Sequence, residues 1–228
     1  MQLYIQGFLV ALKGVPMTLG VSLFAVAVGA AFGLCLALMR ISQSKVLAFL
    51  AKIYVDIVRG TPLVVQALIF AYGLPQLLQA SGIMFKWSSL LLPAMLVCAF
   101  NSSAYLSEVI RGGIQAVEHG QMEAARSLGM SKSKAMRLVI MPQAIKIILP
   151  AFGNEFVALI KETAVLSYVG IVEILRRGTL WNAATFETFP AYIGVALVYM
   201  LLTIPLSKTV GYFEKKMSED DTHEIKAA

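Results

Sequence analysis

The chain has 228 residues, of which 58% are hydrophobic and 14% charged, and it carries a formal net charge of +6. With a mean hydropathy of +0.77, this composition lies outside the range of a soluble domain, and apolar runs of about 20 residues, each long enough to cross some 30 Å of hydrocarbon, recur along it. Cys35 and Cys98 sit inside such runs without CxxC or Cys/His spacing, so neither a disulfide framework nor a zinc site is indicated.

In chain order, the apolar runs predict five spans at 15–39, 61–80, 88–110, 147–170 and 190–212. Lys13 precedes the first, which lacks the basic start and cleavage site of a secretory signal and reads as a retained helix. An odd number of spans puts the termini on opposite sides. Of the nineteen basic residues, fourteen fall on one side: Arg40 to Arg59, Arg111 to Lys146, and Lys208 onward. The other side has Lys13, Lys86, Arg176 and Arg177, so the N-terminus is expected outside and the C-terminus in the cytoplasm. The positive charge then reflects topology and attraction to anionic membrane lipid, and no nucleic acid is needed to explain it. The expected organisation is an all-α polytopic membrane domain over 1–216, with a short polar cytoplasmic tail at 217–228 that is expected to fray.

Catalytic and metal chemistry find no support in the residues. His119 and His223 have no ligand partners at metal spacing, no GxSxG elbow occurs, and the absence of any Gly-Lys dipeptide excludes a Walker A loop in this chain. Catalytic residues, cofactor and metal are all expected to be absent.

The connection at 111–146 carries helical patterning. GQMEAARSL reads as one short helix stopped by Gly129, where a positive φ is wanted. Ser131 can cap a second, SKSKAMRLVIM, which is expected to end at Pro142. On patterning alone this is either a membrane-surface amphipathic loop or a docking knob for a partner.

Polar residues within the spans mark a candidate cavity, because burying ionisable groups in hydrocarbon is costly. Glu155 and Glu162 lie seven positions apart on nearly one face, with Asn154, Thr163 and Ser167 nearby and Pro150 and Gly153 as places to bend. Lys161 is a counter-ion for a substrate carboxylate or, alternatively, for either glutamate in an internal packing pair. Asn101, Tyr105 and Glu108 form a polar stripe, with Ser102 a deeper candidate; Glu108 can instead pair with Arg111 or Arg59. Gln66 can bind substrate or join helices, and Asp56 with Arg59 reads as a surface ion pair.

EAARSLG at 123–129, with VIMP following at 139–142, resembles the EAA loop of ABC-importer permeases, Val139 and Met141 departing mildly from the Ile and Leu of the pattern. RGTPLVVQ at 59–66, NSSAYLSEVIRGGIQAV at 101–117 and LPAFGNEFVALIKETAVLSYVG at 149–170 extend the likeness to the polar amino-acid permease family, whose members import histidine, glutamine, arginine, cystine and opines. The resemblance implies a type I importer fold and a coupling role for Glu123, Ala124, Ala125 and Gly129. It also implies ABC ATPase subunits at the cytoplasmic face holding ATP and Mg, a second permease copy or paralogue, and an extracytoplasmic substrate-binding protein. An acidic cavity favours a basic small-molecule amino acid, while neutralisation by Lys161 admits glutamine. The rival is an ion-coupled secondary amino-acid transporter, which would need no knob and would build its pathway from paired bundles.

Overall fold

The structure is a computed structural model describing the backbone of residues 1–227 and side chains to residue 217. Among the described residues it is all-helical, without strands. Of the expected polar tail, 217–228, the side chains from 218 onward, His223 among them, lie outside the described residues. The first apolar run forms α1 (Gln2–Leu12) and α2 (Val15–Ile41), separated by a turn at Lys13–Gly14, with Pro16 in the first turn of α2, where its missing N–H is no loss. The Oγ of Ser44 caps α3 (Lys45–Arg59). Beyond Pro62 come α4 (Leu63–Leu68), a π turn (Ile69–Gly73) and α5 (Leu74–Ala80), then α6 (Leu91–Ala116). The 111–146 connection holds α7 (His119–Ser127) and α8 (Lys132–Ala135), and a second π turn (Met136–Ile140) leads into α9 (Met141–Glu162). A 3-10 segment (Thr163–Val169), α10 (Ile174–Thr185) and α11 (Thr188–Ala227) complete the chain.

Four helical runs are long and apolar enough to cross a membrane: Gln2–Ile41, Leu63–Ala80, Lys132–Val169 and Thr188–Met217. The third expected span falls on α6, whose 26 residues reach about 39 Å but whose polar residues keep it out of that set. It is instead the most enclosed helix, burying positions from Pro93 to Ile114. Its neighbour α2 approaches closely because Gly29 faces Ala99 and Ser102, and Gly33 faces Ser103, Leu106 and Ser107, leaving about 3 Å for any added Cβ. Tyr54 ties α3 to the same helix through Phe100 O and Ser103 Oγ, both at 2.9 Å.

Sequence reading missed α1, α3 and α10, which are too short or too charged to register as spans. The expectation that the helix ends at Pro142 is corrected. The π turn at Met136–Ile140 widens the ladder just before the proline, so the ring meets no closed α turn and the helix runs on. The same device precedes Pro75 in α5.

At the end remote from the 111–146 connection, Glu173 caps α10, accepting from Leu175 N and Arg176 N at 2.7 Å and from the Tyr199 hydroxyl of α11 at 2.8 Å. Burial pushes its carboxyl up, against the pull of these donors. Here α1 lies on α11 with Gly7 and Gly194 in contact: a Cβ on Gly194 would sit 2.5 Å from the Gly7 carbonyl carbon. Gly194→Val is expected to cost about 1–3 kcal/mol, seen as a lowered melting temperature of the detergent-solubilised protein. Gly20→Val, with nothing within 4 Å of its Cβ, is the matched control.

Candidate functional site

The α3–α4 turn owes its shape to Pro62, which cannot extend α3, and to Gln66, which satisfies the carbonyls left over. Gln66 Nε2 donates to Val58 O (2.8 Å), Thr61 O (3.1 Å) and Thr61 Oγ1 (2.8 Å), and its Oε1 accepts from Asn101 Nδ2 (3.0 Å). Gln66 therefore joins helices and orients Asn101. The turn from Arg59 to Leu63, with Asn101 and Tyr105 of α6 and Glu162 at the end of α9, encloses a cavity of about 380 Å³.

Three of the expected residues, Asn101, Tyr105 and Glu162, thus converge. Glu155, half-buried two turns before Glu162, interacts electrostatically with Glu162 and with Arg59. The cavity wall brings in Arg59, which acts electrostatically on Glu155, while Lys161 acts on Glu162; sequence reading had paired Arg59 with Asp56. That pair does not form, because Arg59 crosses to α6 and lies with its Cζ 5.3 Å from the Tyr105 ring centroid. No signal local to the sequence marks this contact, which arises only when α3 packs on α6.

Lys161, exposed beside an equally exposed Glu162, makes no ion pair with either glutamate but acts electrostatically on Glu162, in line with the counter-ion reading. Three expectations are corrected. Ser102 is fully buried against Gly29 of α2, its Oγ without a partner, and does not face the cavity. Asn154 is exposed in a separate hollow of about 290 Å³ with Glu214 of α11. Thr163 and Ser167 are buried in the protein, the former donating to Ile160 O at 2.7 Å. Glu108 pairs with Arg111, as one reading held, and with Arg40 in place of Arg59.

At the other end of α6 the chain forms the expected knob. Gly129 has φ +84, and its N–H reaches Arg126 O at 3.0 Å; Ser131 Oγ caps α8 through Lys134 N at 3.3 Å. Glu123, Ala124 and Gly129 are exposed, as is Leu128 at 81%. Ala125, expected to leave room for a partner, is instead buried in the knob's own packing at 4% exposure. Glu123 and Arg126 form no ion pair, and Glu123 lies beyond the first turn of α7, where the helix dipole acts. Met122, Val117, Ile140 and Met136 anchor the knob to Ile110, Ile114 and Ala37. Both helices that leave it, α6 and α9, continue to the cavity.

Residues 29–219 match the family described as binding-protein-dependent transport system inner membrane component. The chain is 39% identical over 215 residues to the probable glutamine ABC transporter permease protein GlnM of Bacillus subtilis, covering 94% of this chain and 96% of that protein. It is 36% identical over 210 residues to the arginine transport system permease protein ArtQ of the same organism, covering 92% and 93%. Among solved structures, the crystal structure of an amino acid ABC transporter with histidines matches with a TM-score of 0.84 and 40% identity, covering 93% of this chain and 96% of that one.

Gln66→Leu strips all four hydrogen bonds and strands the Val58 and Thr61 carbonyls, an expected loss of about 2–3 kcal/mol. Melting of the purified protein checks this; Gln66→Glu, which keeps acceptors but loses the donors, should recover little of it.

Proposed function

Since the chain belongs to the binding-protein-dependent transport system inner membrane component family, as an amino-acid ABC importer permease of the bacterial inner membrane with a type I importer fold, we propose that its cavity carries basic amino acids. The observation that carries this reading is a charge mirror. A basic amino acid has one carboxylate and two cationic groups; the cavity wall has one guanidinium, Arg59, and one carboxylate, Glu162, with a second carboxylate, Glu155, in electrostatic reach of both and Lys161 acting on Glu162 from outside the wall. Arg59 takes the α-carboxylate, Glu162 and Glu155 take the α-ammonium and the side-chain cation, and Asn101 and Tyr105 complete the wall. Unpaired charge in a low-dielectric site is heavily penalised, so an acidic amino acid is rejected. A neutral substrate such as glutamine is the second reading, favoured by Arg59 offsetting one of the two carboxylates.

In this reading the N-terminus is outside, the C-terminus and knob are cytoplasmic, and α6 makes the fifth crossing. The exposed tip of the knob, with Ala124, Leu128 and Gly129, seats on an ABC ATPase subunit that holds ATP and Mg, while Glu123 supplies a charge at the rim of that contact. Movement of the ATPase pair is delivered to the cavity directly, since α9 runs from beside the knob to Glu162 and α6 runs from Tyr105 back to it. A second permease copy or paralogue closes the pathway, and an extracytoplasmic binding protein delivers substrate. An ion-coupled carrier has no use for such a knob.

The test is ATP-driven uptake of a radiolabelled amino-acid panel by the chain reconstituted in liposomes with its ATPase subunit. Glu162→Gln is expected to raise the KM for arginine about tenfold or more while leaving ATPase binding intact. Gly129→Asp, at a φ that L side chains resist, should abolish uptake with loss of ATPase binding. Uptake that ignores ATP and follows an ion gradient would overturn the reading.

A further inference from the structure

On α6, Tyr105 and Glu108 lie one turn apart on the same face, offering a guanidinium two resting places, a ring and a carboxylate. Arg59, the last residue of α3, takes the ring. A carboxylate attracts a guanidinium more strongly than a phenol ring does, so something must keep Arg59 from Glu108. Glu108 already has two partners. Its Oε1 lies in an ion pair with Arg40 from the last turn of α2 although it accepts no hydrogen bond, and its Oε2 accepts from Arg111 Nη2 at 2.6 Å and Nε at 3.2 Å. The Arg40 and Glu108 side chains are only 18% and 19% exposed, so solvent screens the pair weakly. Arg40 in turn lies within electrostatic range of Arg111, Asp56 and Arg59, which makes the ion cluster and the cavity wall contiguous. Asp56, exposed on α3, holds no ion pair with Arg59 and acts electrostatically on Arg40.

Resting on the cavity reading above, we propose that Glu108 is a positioning residue for Arg59. While Arg40 and Arg111 offset the charge of its carboxylate, Arg59 stays on Tyr105 and holds the substrate carboxylate; when Arg40 withdraws, Glu108 draws Arg59 out of the cavity and the amino acid is released. The knob sits where it can drive this exchange. Ala37, three residues before Arg40, and Ile41 just after it pack in the same cluster as Met122 of α7 and Ile140 of the π turn. A shift of the knob is therefore felt at the end of α2 that carries Arg40.

The experiment measures KM for ATP-driven arginine uptake, with glutamine in parallel, by the reconstituted transporter. Arg40→Met frees Glu108 to compete for Arg59 and should raise KM about tenfold; Arg40→Gln should do the same, and Arg40→Lys should hold KM near wild type. Adding Glu108→Gln to Arg40→Met removes the competitor and should return KM to near the wild-type value. A double variant as impaired as Arg40→Met, or an Arg40→Met and an Arg40→Gln that both keep the wild-type KM, would overturn the proposal and leave the cluster a packing device. An Arg59→Met variant with unchanged KM would instead overturn the cavity reading on which it rests.

Discussion

The close approach of α2 and α6 is the constraint from which the rest of the architecture follows. Between helices surrounded by lipid there is no gain from merely burying apolar surface, so association depends on fit and on small residues that let backbones meet. Gly29 and Gly33 provide that fit against Ala99, Ser102, Ser103 and Leu106. Once α6 is held there, its other faces are free to do different work. One accepts Tyr54 of α3, and another presents Asn101 and Tyr105 to the cavity. The end of the helix delivers the chain to the knob. A bulkier contact with α2 would rotate or displace all of these together, which is why the enclosed helix can afford more polar residues than its neighbours.

A second consequence concerns how the site and the knob communicate. The knob is bracketed by α6 and by the rod of α8, π turn and α9; α9 ends at Glu162 of the cavity and α6 carries Asn101 and Tyr105 near its middle. No chain of loosely coupled side chains is required. Two helices in a fixed relation to one cluster of apolar anchors, Ile110, Ile114, Ile140 and Ile148 among them, would transmit displacement in the proposed reading by being stiff. The π turn before Pro142 marks the place on the rod where backbone geometry departs from the regular helix, and so the natural site of any bend between knob and membrane segment.

What could be read from the sequence was what local chemistry decides. The stop at Gly129 and the cap at Ser131 depend on the backbone within a few residues, and both stand where expected. The stripe of Asn101 and Tyr105 was legible from helical spacing. Two of the misplacements share one cause: successive residues on a helix are turned by about 100° from each other. Ser102 was placed with Asn101 but faces α2; Asn154 was placed with Glu155 but opens on a hollow beside α11. Arg59 escaped for the opposite reason. Its nearest acid in sequence, Asp56, is a helix-turn away and a plausible mate, whereas the ring it meets is brought by a helix more than forty residues distant.

That last difference bears on what sets specificity in such a cavity. Lys161, on the same helix as both glutamates, moves with them as one body and offsets part of the charge of Glu162. With Arg59 on α3 and the glutamates on α9, the opposite charges sit on separate elements joined through α6. A zwitterion bridging them links the two elements by its own charges, so binding itself alters how strongly α3 and α9 are held together. A differential interaction of this kind is what a ligand needs in order to shift a conformational equilibrium. In the proposed reading, placing Arg59 and the glutamates on two helices lets an occupied cavity differ mechanically from an empty one, a difference that α6 and α9 would carry to the knob.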